Sequence, residues 1–190
     1  MRMITIAYFI FLCSSLKASD SLQSSIEKKY TNKITNKEIT ESKFKSNVFR
    51  HRLDELDKKS PMDLGYNEKV QPFLDSYLGR NKLLIARMKG LSPYYFSVFE
   101  QMLDKYDLPL ELKYLPIVES ALNPKAKSHS GATGLWQFMY LTGQEYGLKV
   151  SSYIDERQDP IKSTEAACVY FSKLYDIFGD WNLVLAAYNG

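Results

Sequence analysis

From Tyr66 to Gly190 the apolar residues of this chain return every three or four positions, and no stretch alternates apolar with polar in the two-residue rhythm of a strand. That pattern restricts the segment to helices that each bury one stripe, and so to an all-α fold. Val70, Phe73, Leu74, Tyr77 and Leu78 form the first stripe, with Pro72 at its helix start and Gly79 at its end. Lys82 to Lys89 reads as a short helix stopped by Gly90. Ser92 and Pro93 then read as the cap and first residue of a new helix, with Tyr95, Val98, Phe99, Met102, Leu103 and Tyr106 facing inward. Pro109 opens LPLELKYLPIVESAL, which Pro116 is expected to kink just ahead of Glu119 and Asn123-Pro124 to close. Residues 125–134 read as a loop, and LWQFMYLTGQEYG as a short helix ending by Gly147. Asp159 caps a long helix with Pro160 in its first turn and Ile161, Thr164, Cys168, Phe171, Leu174, Tyr175 and Phe178 inward, until Gly179 terminates it. Asp180 caps a last helix, WNLVLAAYNG.

The front of the chain is of another kind. Arg2 precedes a nine-residue apolar run, Ile4 to Leu12, too short to span a bilayer as a helix, and small or polar residues follow at Cys13, Ser14, Ser15 and Ala18. Residues 1–18 therefore read as an export signal. Cys13 is a candidate lipid-attachment cysteine, although Leu12 stands where such signals prefer Gly, Ala or Ser. Residues 19–65 are polar and mixed in charge, and read as a linker or weakly ordered arm. That leaves residues 66–108 as leading helices and 109–190 as a core unit.

Composition excludes some functions. A net charge of +3 with no dense basic stripe gives no footprint for nucleic acid. There is no P-loop, dinucleotide fingerprint, HExxH or CxxC. His51 and His129 lie far apart, and His129 reads as a loop residue with a local hydrogen bond. Once the signal is removed, Cys168 is the one cysteine left. It cannot form an internal disulfide, and on the inner face of a helix it reads as a small buried hydrophobe. Asp155, Glu156, Arg157 and Asp159 read as a local charge and capping cluster.

Glu119 is the candidate acid. It follows Leu115, Pro116, Ile117 and Val118, so its carboxyl should be partly desolvated, and desolvation raises a carboxyl pKa. A general acid has to hold its proton near neutral pH. By sequence position alone, a lone glutamate beside apolar residues is more often a solvent-facing residue on an amphipathic helix.

NEKVQPFLDSYLGR, LPLELKYLPIVESALNPKAKSHSGATGLWQFM, DERQDPIKSTEAA and FGDWNLVLAAYNG together resemble the membrane-bound lytic murein transglycosylase D type of glycoside hydrolase family 23. The Glu-Ser pair, the Gly-Leu-x-Gln block and the Ala-Tyr-Asn block occur in the family's order. The resemblance implies a lysozyme-like helical domain of the goose-type and soluble lytic transglycosylase class. It also implies cleavage of the bond between N-acetylmuramic acid and N-acetylglucosamine, giving a 1,6-anhydro sugar. In this reading Glu119 is catalytic, while Ser120, Gly134, Leu135, Gln137, Tyr188 and Asn189 bind substrate. Tyr140 departs from the proline of many relatives, which bears on the turn that follows. The implied partner is the peptidoglycan glycan strand, and no metal or organic cofactor is implied. The implied setting is a monomer exported to the periplasm, with outer-membrane association if Cys13 carries lipid. Relatives continue past the Tyr-Asn pair, so the stretch as given is expected to be weakly active or inactive alone. The rival readings are a hydrolysing muramidase and a wall-binding module without activity.

Overall fold

The computed structural model describes residues 37–64, 66, 68–77 and 81–189, with side chains from residue 47 onward. The export signal read in residues 1–18 lies outside them, as do Leu78 and Gly79 of the first stripe.

Seven α-helices run through the described residues: α1 (Lys37–Asp57), α2 (Gln71–Asp75), α3 (Lys82–Lys105), α4 (Leu115–Ser120), α5 (Tyr140–Glu145), α6 (Pro160–Phe178) and α7 (Trp181–Asn189). Two short 3-10 turns, Leu110–Tyr114 and Glu156–Gln158, lead into α4 and α6. Extended pairing is limited to isolated bridges, Lys127 with Thr133, Thr133 with Phe138 and Val150 with Asp155. The all-α expectation holds. No described helix is long and apolar enough to cross a membrane.

The core forms where α3, α6 and α7 pack together. Trp136, completely buried, stands between Phe99 of α3 (centroids 5.3 Å apart) and Phe171 of α6 (5.9 Å), edge to face with both. Its indole N–H donates to Thr164 Oγ1 at 2.9 Å, so the ring's polar edge is satisfied inside the core. Tyr188 of α7 stacks on Phe171 at 4.8 Å.

Several boundaries correct the sequence reading. Lys82–Lys89 and the segment after Ser92 are one helix, α3, with Pro93 in its interior. A proline there cannot donate to the Lys89 carbonyl, but the Ser92 hydroxyl does so instead, at 3.0 Å. Ile85, Met88, Tyr95 and Phe99 stay on one buried stripe across the junction, and packing outweighs the Gly90 stop signal. Pro116 kinks no helix, because it lies in the first turn of α4, where the 3-10 turn ends. The helix expected over LWQFMYLTGQEYG is confined to α5, because Leu135 to Phe138 turn under the core. Tyr140 opens α5 without a proline. In α6, Ser163, Ala166 and Ala167 are buried, while Ile161, Tyr175 and Phe178 are exposed at its two ends. Part of the supposed arm is also folded. α1 occupies Lys37–Asp57, and Leu53, Met62 and Leu64 join the core, an apolar cluster too sparse to read by period.

The caps hold as read. Asp159 accepts from the backbone N–H groups of Ile161 and Lys162, both at 2.9 Å. Asp180 accepts from Leu183 N–H at 2.9 Å. Gly179 adopts the left-handed conformation (φ 62°) that ends α6.

Candidate active site

The α4 helix is six residues long and almost wholly apolar until its last turn. Leu115, Pro116 and Ile117 are buried, and Val118 and Glu119 are half-buried. After Ser120 the chain reverses through two left-handed residues, Ala121 (φ 51°) and Leu122 (φ 58°), a conformation uncommon for residues with a side chain. The reversal is held by Ala121 N–H to the Ile117 carbonyl (3.0 Å) and Leu122 N–H to the Pro116 carbonyl (3.1 Å). Glu119 is thereby set at the rim of an open cleft of about 400 Å³, whose walls include Tyr77, Met88, Val118, Lys127 and Gln137.

Burial raises the Glu119 carboxyl above its ordinary value of 4.5. Among the described residues that line the cleft, Glu119 is the only carboxyl group. Sequence reasoning expected this desolvation from the apolar run ahead of it.

The Gly-Leu-x-Gln block sits directly against α4. The Ser120 hydroxyl shares its proton between the carbonyls of Pro116 (2.9 Å) and Leu135 (3.0 Å), which ties the acid's helix to the turn. Gly134 has φ 89°, and a Cβ there would lie 1.8 Å from the Arg157 carbonyl oxygen, so only glycine fits. Gln137 is itself left-handed (φ 50°). Its amide nitrogen donates to the carbonyls of Gly134 (2.8 Å) and Ala126 (3.4 Å). The amide oxygen is then its remaining polar atom on a residue that lines the cleft.

Tyr188 reaches the same turn from α7, its hydroxyl donating to the Trp136 carbonyl at 2.5 Å. Burial pushes its phenol well above the ordinary range, and the nearby Glu119 charge adds to the shift. Glu119, Gln137 and Tyr188 thus converge on one turn.

Other residues carried over from the resemblance have different places. Leu135 is completely buried and lies outside the cleft walls. Ser120, also buried, is committed to the two carbonyls, and Gly134 is a packing contact. Trp136 is a core ring. Asn189 lies outside the cleft walls, and its amide donates back to the Leu185 carbonyl at 2.8 Å. His129 is exposed.

Arg157 has a larger part than the sequence suggested. Its guanidinium makes a two-point contact with Asp155, Nε at 2.9 Å and Nη2 at 2.7 Å. Its Nη1 donates to the carbonyls of Gly131 and Phe138, both at 3.1 Å. Arg157 therefore clamps both ends of the segment that carries Gln137, and it holds the Asp155 carboxyl below its ordinary value. The charge cluster was legible, but its backbone partners lie about twenty residues away and leave no local signal. Glu156 completes the cluster by accepting from Lys149 N–H at 2.8 Å and pairing with Lys162. Tyr77, Leu84, Met88, Lys127 and Ser128 also line the cleft and were not singled out. For Leu84 and Met88 the signal was their four-residue spacing on one helix face.

Residues 97–190 match the family described as Transglycosylase SLT domain. The chain is 38% identical over 129 residues to Membrane-bound lytic murein transglycosylase D of Escherichia coli (strain K12), covering 67% of this chain and 28% of that protein. The protein of the same name in Escherichia coli O6:H1 matches to the same extent. A Putative tributyltin chloride resistance protein of Alteromonas sp. (strain M-1) is 38% identical over 98 residues, which is 51% of this chain and 47% of that one. The chain thus spans less than a third of the length of the Escherichia coli relatives.

Proposed function

The chain belongs to the Transglycosylase SLT domain family through residues 97–190, and from that premise we propose that it is a lytic transglycosylase of peptidoglycan with Glu119 as its acid. One observation carries the reading: the only carboxyl lining the cleft, among the described residues, is one that burial biases toward its protonated form. Glycosidases that hydrolyse with general acid and base, or through a covalent intermediate, use two carboxyl groups across the scissile bond. A cleft with one fits a reaction in which the same group gives and then takes a proton.

In that reaction the neutral Glu119 donates its proton to the oxygen linking C1 of N-acetylmuramic acid to N-acetylglucosamine. The C1–O bond breaks, and the substrate's own N-acetyl group stabilises the positive centre. The Glu119 carboxylate then accepts the proton of the C6 hydroxyl, and that oxygen bonds to C1. The product is a 1,6-anhydro sugar, and Glu119 ends protonated as it began. Intramolecular attack needs no captured water and gains from proximity. Gln137 offers its amide oxygen to the sugar. Tyr188 fixes the turn that carries Gln137 and limits access of water to Glu119. The apolar run Ile4–Leu12 behind Arg2 supports export to the periplasm.

Digestion of purified sacculi in ¹⁸O-labelled water tests the chemistry. The expected products are anhydro-muropeptides without label. Reducing ends that carry ¹⁸O would instead identify a hydrolysing muramidase.

A further inference from the structure

Among the described residues that line the cleft, Lys127 is the one cation, and the chemistry just proposed does not use it. Its backbone is well placed. Lys127 bridges Thr133, and its neighbour Ala126 accepts from Gly134 N–H at 2.9 Å and from the Gln137 amide. The Cα is therefore anchored to the same turn that carries Gln137, while the side chain is exposed at the cleft wall. Lys127 takes part in none of the ion pairs formed among the described residues. Its charge is felt at Asp155, but both oxygens of that carboxylate are held by the Arg157 guanidinium. An ammonium group on a cleft wall with no ion-pair partner among the described residues is available to an anion on the ligand.

We propose that Lys127 is a specificity residue that receives a carboxylate borne by the muramic acid units of the glycan. The inference rests on the peptidoglycan reading above and deepens it. A polymer of N-acetylglucosamine alone carries no anion. Each muramic acid carries a lactyl ether, which ends either in a free carboxylate or in a peptide with carboxylates of its own. A lysine on the wall of the same cleft separates these ligands by charge, where sugar-ring contacts cannot. The pair forms in an open cleft, so its contribution is modest and is screened by salt.

The test compares the intact protein with Lys127→Met, which keeps the length of the side chain, and Lys127→Arg, which keeps the charge. Three probes are used: chitohexaose, denuded glycan strands and peptide-bearing strands, each at low and at raised salt. Lys127→Met is expected to weaken binding of the muramic-containing strands by about three- to tenfold, with Lys127→Arg restoring most of it. Its affinity for chitohexaose should stay within about twofold of wild type, and the salt dependence seen with the anionic strands should shrink. A loss confined to denuded strands places the anion on the lactyl group, and one confined to peptide-bearing strands places it on the peptide. Equal losses on all three probes, or no loss on any, would overturn the assignment. Failure of the wild type to bind either muramic-containing strand would instead defeat the functional reading itself.

Discussion

At the scale of single residues, the site rests on one carboxyl whose neutral form is favoured by burial. The sign of its pH dependence follows from that shift. The folded-state pKa of Glu119 is raised, so its contribution to stability is present below about the ordinary carboxyl value of 4.5 and is lost as pH rises through the raised value. Glu119→Gln has no charge to desolvate. It is expected to melt above the wild type at pH 7, and that advantage should vanish below pH ~4 in thermal scans. Gly134→Ala is expected to destabilise severely, because the methyl group would meet the Arg157 backbone oxygen at 1.8 Å, and denaturant unfolding would show it. Arg157→Met removes the donors to the Gly131 and Phe138 carbonyls and leaves Asp155 without its partner. Losing these charge-assisted hydrogen bonds is expected to cost about 1.5–3 kcal/mol, so a midpoint close to wild type in denaturant would argue against the clamp. Glu119 could be read from the apolar residues beside it. Arg157 could not, because what it holds is backbone brought near only by folding. Ser120 and Leu135 show what a motif leaves out, since the hydrogen bond that joins them across the α4 helix and the turn is set only by folding.

At the scale of elements, the legible features were those fixed by local chemistry. Asp159, Gly179 and Asp180 cap helices because their side-chain oxygens or free φ meet backbone groups a few residues away. Replacing Asp159 by Ala should cost about 1 kcal/mol, measured as a shift in the unfolding midpoint. The α3 helix shows where local signals failed. Gly90 and Pro93 both argue for a break, yet a continuous buried stripe and one serine hydroxyl carry the helix through. Ser92→Ala is expected to remove the hydroxyl donor to the Lys89 carbonyl and to destabilise by about 1 kcal/mol, with amide exchange around the junction faster than in wild type. Unchanged exchange there would mean that packing alone holds α3 together.

At the scale of the whole molecule, the core and the site share a wall. Trp136 fills the centre between α3 and α6, and its carbonyl is the acceptor for Tyr188 beside the acid. Loosening the core should therefore disturb catalysis even where no ligand is touched. Cys168 reports on that integrity. It is fully buried, and burial pushes its thiol up to about 12, so a thiol reagent should label it only as fast as the core opens. Rapid labelling of the native protein at neutral pH would contradict a closed core. The all-α class was legible from periodicity alone. The meeting of α4 with the 134–137 turn at the cleft, and the tie from α7 to that turn, were not, because they depend on contacts among segments separated by tens of residues.

The central claim is that a single sheltered carboxyl at position 119 carries the proton in both halves of the reaction. Turnover of purified sacculi by Glu119→Gln tests it most directly, with circular dichroism showing that the variant is folded. The rate is expected to fall by about 10²–10⁴-fold against the wild type. A folded Glu119→Gln protein that releases anhydro-muropeptides at a rate close to wild type would contradict the account.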